Sequence, residues 1–219
     1  LAPTQMTRLT SSGRVYKAAI SGDGKWLVYV DYDGEQQSLW LKQVAVPGSV
    51  KQIAPAAAIY QGVAFSPDGN YVYYTLLQRD NWDGILYQVP ILGGEARKVL
   101  TDINCPVALS PDGKKLAFYR WADDEDRLMV ANTDGTEQRQ LVARGGNESL
   151  VYGTHGPSWS PDSKTLLTTY GTFTPELSMT VAAVSPETGE LTFFSQKKFQ
   201  NISDIAWLPN GKGVLVSST

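Results

Sequence analysis

The chain has 219 residues, of which 42% are hydrophobic and 19% charged, with a formal net charge of -3. Such a composition is typical of a globular chain with a sizeable core. The mild acidity argues against nucleic-acid binding, which needs clustered Lys and Arg, and no apolar run approaches the roughly 18 residues of a membrane span. A single cysteine, Cys105, excludes an internal disulfide. The chain does not begin with Met, which is typical of a mature chain or a fragment.

A short turn motif recurs five times along the chain. Its copies are Ser-Gly-Asp-Gly at 21–24, Ser-Pro-Asp-Gly at 66–69 and 110–113, Ser-Pro-Asp-Ser at 160–163 and Leu-Pro-Asn-Gly at 208–211. Their Asp or Asn positions are 23, 68, 112, 162 and 210, so the steps are 45, 44, 50 and 48 residues. Pro, Asp and Gly favour a tight turn, and we call this motif the anchor turn and its first residue the anchor residue. The spacing is close to the roughly 40–45 residues of a propeller blade.

The residues on both sides of each anchor turn predict β-strands. The segments that follow are rich in β-branched and aromatic residues, such as 71–75 and 115–119. The position two before each anchor residue is small, and the position one before it is large and apolar, so one face of the strand is tight and the other bulky. We interpret it as the innermost strand of a blade. The small residues are Ala19, Ala64, Ala108, Ser158 and Ala206, and the large ones are Ile20, Phe65, Leu109, Trp159 and Trp207.

Each repeat then supplies two further strands, and no segment carries a helical pattern. The sequence therefore predicts an all-β fold, a β-propeller of four-stranded antiparallel blades with about four full blades and partial blades at the ends. Residues 1–219 form one propeller domain or segment, with blade units at 1–10 (partial), 14–54, 59–101, 104–143, 154–195 and 201–219 (partial). An outer strand is expected at 6–10. A segment of a longer propeller is favoured over a small ring closed between that strand and the last unit.

The motifs at 110–118, 128–135 and 139–141 resemble the TolB-type, WD40-like propeller repeat, and the resemblance extends over essentially the whole chain. Repeats of this kind occur in the periplasmic Tol–Pal component, beside kinase or winged-helix domains in bacterial signalling proteins, and in the propeller lid of prolyl-oligopeptidase-type peptidases. The resemblance implies a scaffold for binding. It also implies a periplasmic or extracytoplasmic location, with the cytoplasm as the alternative.

The sequence carries no convincing catalytic constellation. A serine hydrolase needs a Gly-x-Ser-x-Gly elbow, which is absent, and Ser160 near His155 is the anchor residue of a motif that recurs without any His. Cys105 is expected to be a buried structural thiol. The acidic segments 31–35 and 123–126 could offer oxygen ligands to a hard cation, but we interpret them as solvated loop tips. No cofactor and no metal are expected.

A binding face is predicted on one rim of the propeller, where aromatic and polar residues converge. Its candidate residues are Trp82, Trp121 and Phe173 in the connections between second and third strands, and Tyr16, Tyr60, Asn104, His155 and Asn201 near the starts of the innermost strands. The favoured function is non-catalytic binding of a protein, a peptide or a small molecule.

Two alternatives stay open. The chain could be the regulatory or lid propeller of a larger enzyme, a protein kinase or a prolyl-oligopeptidase-type peptidase, whose catalytic domain lies outside it. It could also be a lyase or lactonase that uses a metal in the central cavity, for which the innermost strands offer only Lys17, His155 and Asp204.

Overall fold

A computed structural model describes residues 7–10, 12–77, 83–103, 105–150 and 156–218. These residues form strands, turns and irregular segments, and no helix among them is long and apolar enough to cross a membrane. All strand pairs are antiparallel, and most join strands that follow one another along the chain. The predicted all-β propeller fold is confirmed.

The first seven strands form one sheet in chain order. They are β1 (Val15–Ile20), β2 (Trp26–Tyr32), β3 (Gln37–Gln43), β4 (Val50–Phe65), β5 (Tyr71–Leu77), β6 (Gly84–Pro90) and β7 (Arg97–Ile103). The first half of β4 pairs with β3 and its second half with β5. Blade 1 therefore comprises β1, β2, β3 and the first half of β4, and blade 2 comprises the second half of β4 with β5, β6 and β7, so one 16-residue strand belongs to both blades. The sequence predicts two separate strands here. Pro55 is the single turn-favouring residue between 54 and 58, and it also biases the preceding Ala54 towards extended backbone.

The remaining strands form blades 3, 4 and 5. Blade 3 contains β8 (Ala108–Leu109), β9 (Lys115–Ala122), β10 (Glu125–Asn132) and β11 (Arg139–Gly145). Blade 4 contains β13 (Ser158–Trp159), β14 (Leu166–Thr172), β15 (Ser178–Val184) and β16 (Leu191–Phe193), with β12 (Glu148–Ser149) also paired to β14. Blade 5 is described as β17 (Ile202–Trp207) and β18 (Val214–Ser218).

The outer strand expected at 6–10 is not observed at residues 7–10, which form no strand, while Met6 lies outside the described residues. The carbonyl oxygen of Leu9 accepts a hydrogen bond of 2.7 Å from Lys42 Nζ in β3. A side chain of blade 1 therefore contacts this segment. The prediction was that the segment would be the outer strand of a preceding blade.

The core lies between successive blades rather than inside any one of them. Among the described residues, three clusters of buried side chains occupy the interfaces between blades 1 and 2, among blades 2, 3 and 4, and between blades 4 and 5. Phe65 and Trp207, the large residues before their anchor turns, pack into the cluster shared with the preceding blade. The equivalent Ile20 in β1 is 54% exposed, because no described blade precedes it.

The anchor turns are built alike. In the first four copies the Ser hydroxyl donates to the Asp carboxylate two residues later at 2.5–2.6 Å, and that carboxylate accepts the amide two residues further on. Residue four of the motif has positive φ, which Gly adopts freely and which Ser163 adopts at 61°. Leu208 lacks the hydroxyl, but the backbone bonds of its turn are kept. The recurrence in the sequence therefore reflects one hydrogen-bonded turn.

Candidate functional site

The predicted binding face lies on the rim opposite the anchor turns. This loop rim comprises the connections between the second and third strands of each blade and the starts of the innermost strands. The anchor rim carries the anchor turns and the connections between third and outer strands. A residue at the loop-rim end of a strand is held by the sheet, so its position is fixed even where its side chain is exposed.

Three of the predicted residues present large apolar side chains on the loop rim. Trp121, near the end of β9, is 60% exposed, Tyr16 in β1 is 56% exposed and Phe173, just after β14, is 42% exposed. Asn201 is half-buried and immediately precedes β17. Exposed aromatic side chains on a rigid support are typical of residues that anchor a partner.

Tyr32 belongs to the same set but is absent from the sequence-based candidates. It ends β2, is 44% exposed, and donates its hydroxyl to the carbonyl oxygen of Gly34 at 2.8 Å. Tyr32 and Trp121 both stand eleven residues after their anchor residues, Ser21 and Ser110. The same position is Leu77 in the second repeat and Gly171 in the fourth, so the register of the repeat alone does not identify Tyr32.

The prediction that Tyr60 is a rim residue is wrong, because its side chain is fully buried. It packs in the cluster between blades 1 and 2, where its ring lies 5.9 Å from that of Tyr74. Its backbone N–H donates to Gln37 Oε1 at 2.7 Å. Blade 1 covers this part of β4, so Tyr60 stabilises the interface and does not reach the rim. Trp82, Asn104 and His155 lie outside the described residues.

The two acidic segments of the loop rim have local partners. Asp33 accepts the amides of Glu35 and Gln36, and these bonds lower the pKa of its carboxyl. The guanidinium of Arg127 lies 2.5 Å from Asp123 and 3.4 Å from Glu125. In the described part of the chain no three His, Cys, Asp or Glu side chains are grouped in a way that could hold a metal ion.

Blades 2, 3 and 4 approach one another closely at the position four residues before the anchor residue. A Cβ on Gly62 would lie 2.6 Å from Pro106 Cβ, and one on Gly156 would lie 2.4 Å from the carbonyl oxygen of Pro106. The innermost strands of blades 1 and 5, β1 and β17, carry charges at this position, Lys17 and Asp204. Burial lowers the pKa of Lys17, and the Asp204 carboxylate partly opposes this shift. The two groups are therefore close enough to interact electrostatically.

The nucleophilic side chains considered in the sequence have structural roles. Ser160 donates to Asp162 at 2.6 Å, as in the other anchor turns. Cys105 is fully buried, its sulfur accepts the amide of Tyr119 at 3.1 Å, and burial raises the pKa of the thiol to about 12. A thiol with so high a pKa carries almost no nucleophilic thiolate at neutral pH. The expectation that Cys105 is a buried thiol is confirmed.

Two cavities lie on the anchor rim, in the clefts between neighbouring blades. Their volumes are about 510 Å³ between blades 3 and 4 and about 480 Å³ between blades 2 and 3. Polar groups of the first are already engaged: Lys115 Nζ donates to Asn132 at 2.7 Å, and the Asp112 amide donates to Ser163 Oγ at 3.1 Å. Because the clefts accompany successive anchor turns, we interpret them as a product of the repeat.

Comparisons with known proteins identify the repeat. A family model described as the TolB beta propeller domain matches residues 4–219. Similar solved structures are TolB from Acinetobacter baumannii, an oligogalacturonate lyase in complex with manganese, and the β-propeller domain of the Trilobed protease from Pyrococcus furiosus. No curated protein matches the chain significantly.

The similarity to these structures concerns the fold. TM-scores are 0.68, 0.74 and 0.60, and identities are 14%, 19% and 11%, in the order given. The alignments cover 90%, 97% and 84% of this chain. They cover 48%, 61% and 58% of the other chains, so this chain spans roughly half to three-fifths of their length.

Proposed function

The chain belongs to the TolB β-propeller family, and on that premise we propose that it is a binding scaffold that engages a protein or peptide partner on its loop rim. The observation that carries the proposal is the exposure of Trp121, 60% of whose side chain is open to solvent at the end of a rigid strand. Tyr16, Tyr32 and Phe173 add three further exposed rings to the same rim. Aromatic side chains dominate the binding energy of many protein interfaces.

The scaffold binds without turnover in this proposal. The best nucleophile candidates are committed elsewhere, since Ser160 is bonded within its anchor turn and the Cys105 thiol is buried. The acidic residues Asp123 and Glu125 share the guanidinium of Arg127. A small molecule could occupy the same rim, but exposed rings on blades 1, 3 and 4 suit an extended chain better than a compact ligand.

The test selects peptides from a random phage-displayed library against the wild-type protein and measures their affinities for variants. Trp121→Ala and Phe173→Ala should each weaken binding about tenfold or more, because truncation of a central aromatic residue commonly costs about 2 kcal/mol or more. Trp82→Ala extends the test to the connection that lies outside the described residues.

Leu92→Ala is the matched control, because Leu92 is 87% exposed on the anchor rim and is also a large apolar side chain. It should leave the affinities unchanged. If the selected peptides bind the Trp121→Ala and Phe173→Ala variants as tightly as the wild type, and lose affinity for Leu92→Ala, the loop rim is not the binding face.

A second candidate is the propeller of a larger enzyme, as the similarity to a peptidase propeller suggests. The chain covers 58% of the Trilobed protease propeller and 36% of a dipeptidyl aminopeptidase IV from Bacteroides ovatus. Sequencing the complete gene distinguishes the candidates, because a linked kinase or peptidase domain would make the rim a regulatory or substrate-guiding surface. We also propose an extracytoplasmic location, which a reporter fusion active only outside the cytoplasm would test.

A further inference from the structure

The outer strand of blade 4 departs from the repeat. In blades 2 and 3 the outer strands β7 and β11 each extend over seven residues, whereas β16 ends at Phe193 after three. Beyond it the chain forms an isolated bridge at Phe199 with Met179 in β15. Residues 194–198 between these points form no regular strand, and we call them the outer bulge.

The sheet holds the outer bulge at both ends and in the middle. The Phe194 amide donates to the Val181 carbonyl at 2.9 Å, and the amides and carbonyls of Met179 and Phe199 are reciprocally bonded at 2.8 Å. The hydroxyl of Thr180 lies 2.9 Å from the carbonyl oxygens of both Ser195 and Lys197. These bonds fix the shape of the bulge, so a cavity beside it needs little ordering to accept a ligand.

A cavity of about 210 Å³ lies beside the outer bulge, on the face of blade 4 turned towards blade 3. Its apolar lining includes the rings of Tyr170 and Phe193, which meet edge to face with centroids 5.2 Å apart. Phe193 is 54% exposed although its ring packs against Tyr170. A third flat ring placed here would bury apolar surface and pack against the two rings already present.

The electrostatics of the cavity favour a negative charge. Lys198 lines it, and no carboxylate within the described ranges lies at ion-pair distance from its ammonium group. The nearby carboxylate of Glu148 is paired with Arg144 at 3.0 Å, so its charge is balanced. From this combination we propose that the cavity beside the outer bulge binds a small aromatic anion, its ring against Tyr170 and Phe193 and its carboxylate or sulfonate towards Lys198.

The probe is 8-anilinonaphthalene-1-sulfonate, followed by its fluorescence, with phenylacetate and phenethylamine as competitors of equal ring size and opposite charge. Wild-type protein should bind the probe saturably, and phenylacetate should displace it more effectively than phenethylamine. Phe193→Ser should weaken binding about tenfold, as expected for the loss of one ring contact. Lys198→Gln should weaken it about threefold and remove the preference for phenylacetate.

The neighbouring residues supply matched controls. Phe194 and Lys197 line a different cavity, on the side of blade 4 that faces blade 5. There the ring centroids of Phe194 and Trp207 lie 5.5 Å apart, and the Lys197 ammonium group lies over the Phe199 ring. Phe194→Ser and Lys197→Gln should leave probe affinity and charge preference unchanged. The proposal is overturned if wild-type protein shows no saturable binding, or if the control pair weakens binding as much as Phe193→Ser and Lys198→Gln. Its failure leaves the loop-rim proposal untouched, because none of these residues lies in the aromatic set of that rim.

Discussion

Trp159 donates its indole N–H to the carbonyl oxygen of Ala108 at 3.0 Å, across the interface between blades 3 and 4. Trp159 is the large residue before the anchor turn of blade 4, and Ala108 is the small residue before the anchor turn of blade 3. The bond thus joins the two positions that recur before every anchor turn. It shows why one must be large and the other small: a large side chain of one blade lies against the innermost strand of the blade before it.

Replacing Trp159 with Ala should lower the free energy of unfolding by about 3–5 kcal/mol, because a large buried side chain leaves a cavity. Trp159→Phe should lower the free energy of unfolding by less, because the Phe ring fills most of the space of the indole. Some loss should remain, because the Ala108 carbonyl loses its hydrogen-bond donor. Urea unfolding followed by circular dichroism measures both. Ile20→Ala is the control at the equivalent but exposed position, and it should cost less than about 1 kcal/mol. If Trp159→Ala and Ile20→Ala lowered the free energy of unfolding equally, the large residue would not pack against the preceding blade as described.

Gly62→Ala should destabilise the protein by about 1–3 kcal/mol through overpacking. The new Cβ would lie 2.6 Å from Pro106 Cβ and 2.7 Å from Pro106 Cα, and the backbone of the neighbouring innermost strand cannot move without disturbing blade 3. Gly22→Ala is the matched control, because nothing lies within 4 Å of its added Cβ and its φ is not positive. Thermal unfolding compares the two variants, and a similar loss for both would show that the innermost strands are less tightly packed than described.

The anchor turns should make the protein sensitive to acid below pH 4. The hydroxyl of Ser21 and the amide of Lys25 lower the pKa of Asp23 from 3.8 to about 2, and the carboxyls of Asp68, Asp112 and Asp162 are shifted in the same direction. A group with a depressed folded-state pKa stabilises the fold above its unfolded-state pKa, and this contribution is lost as the pH falls through the folded-state value. Stability should therefore decrease between about pH 4 and pH 2.

An NMR titration of the Asp23 carboxyl tests the cause directly. Ser21→Ala removes the larger contribution, so the pKa of Asp23 should rise towards its ordinary value, while Asp162, in a separate turn, should keep its titration. An Asp23 pKa that is the same in both proteins would mean that the Ser hydroxyl does not stabilise the carboxylate.

The periodic part of this fold could be predicted from the sequence because each anchor turn is a local structure. Ser, Asp and Gly within four residues specify their own hydrogen bonds, and their spacing then gives the blade. Burial on the rim could not be predicted in the same way. Trp121 lies near the loop-rim end of β9 and is exposed, whereas Tyr60 lies within the continuous strand β4 and is covered by blade 1, and this difference depends on contacts between distant segments.

The shared strand β4 and the outer bulge were also beyond sequence reasoning, for a related reason. Whether 50–65 bends between two blades or continues as one strand depends on which strands its two halves meet, and Pro55 is compatible with both. The bulge at 194–198 depends on Thr180, a residue of the neighbouring strand, whose hydroxyl reaches two carbonyl oxygens that the sequence does not connect with it.

The continuity of β4 has a consequence for engineering the repeat. β11 of blade 3 ends at Gly145 and β13 of blade 4 begins at Ser158, so these two blades share no described strand and one repeat could be exchanged for another between them. At the boundary of blades 1 and 2 any cut falls inside a strand that completes both sheets, so a transplanted module would have to carry the two blades together. In this chain the smallest transferable unit at the amino-terminal side is therefore a pair of blades, although the sequence repeats singly.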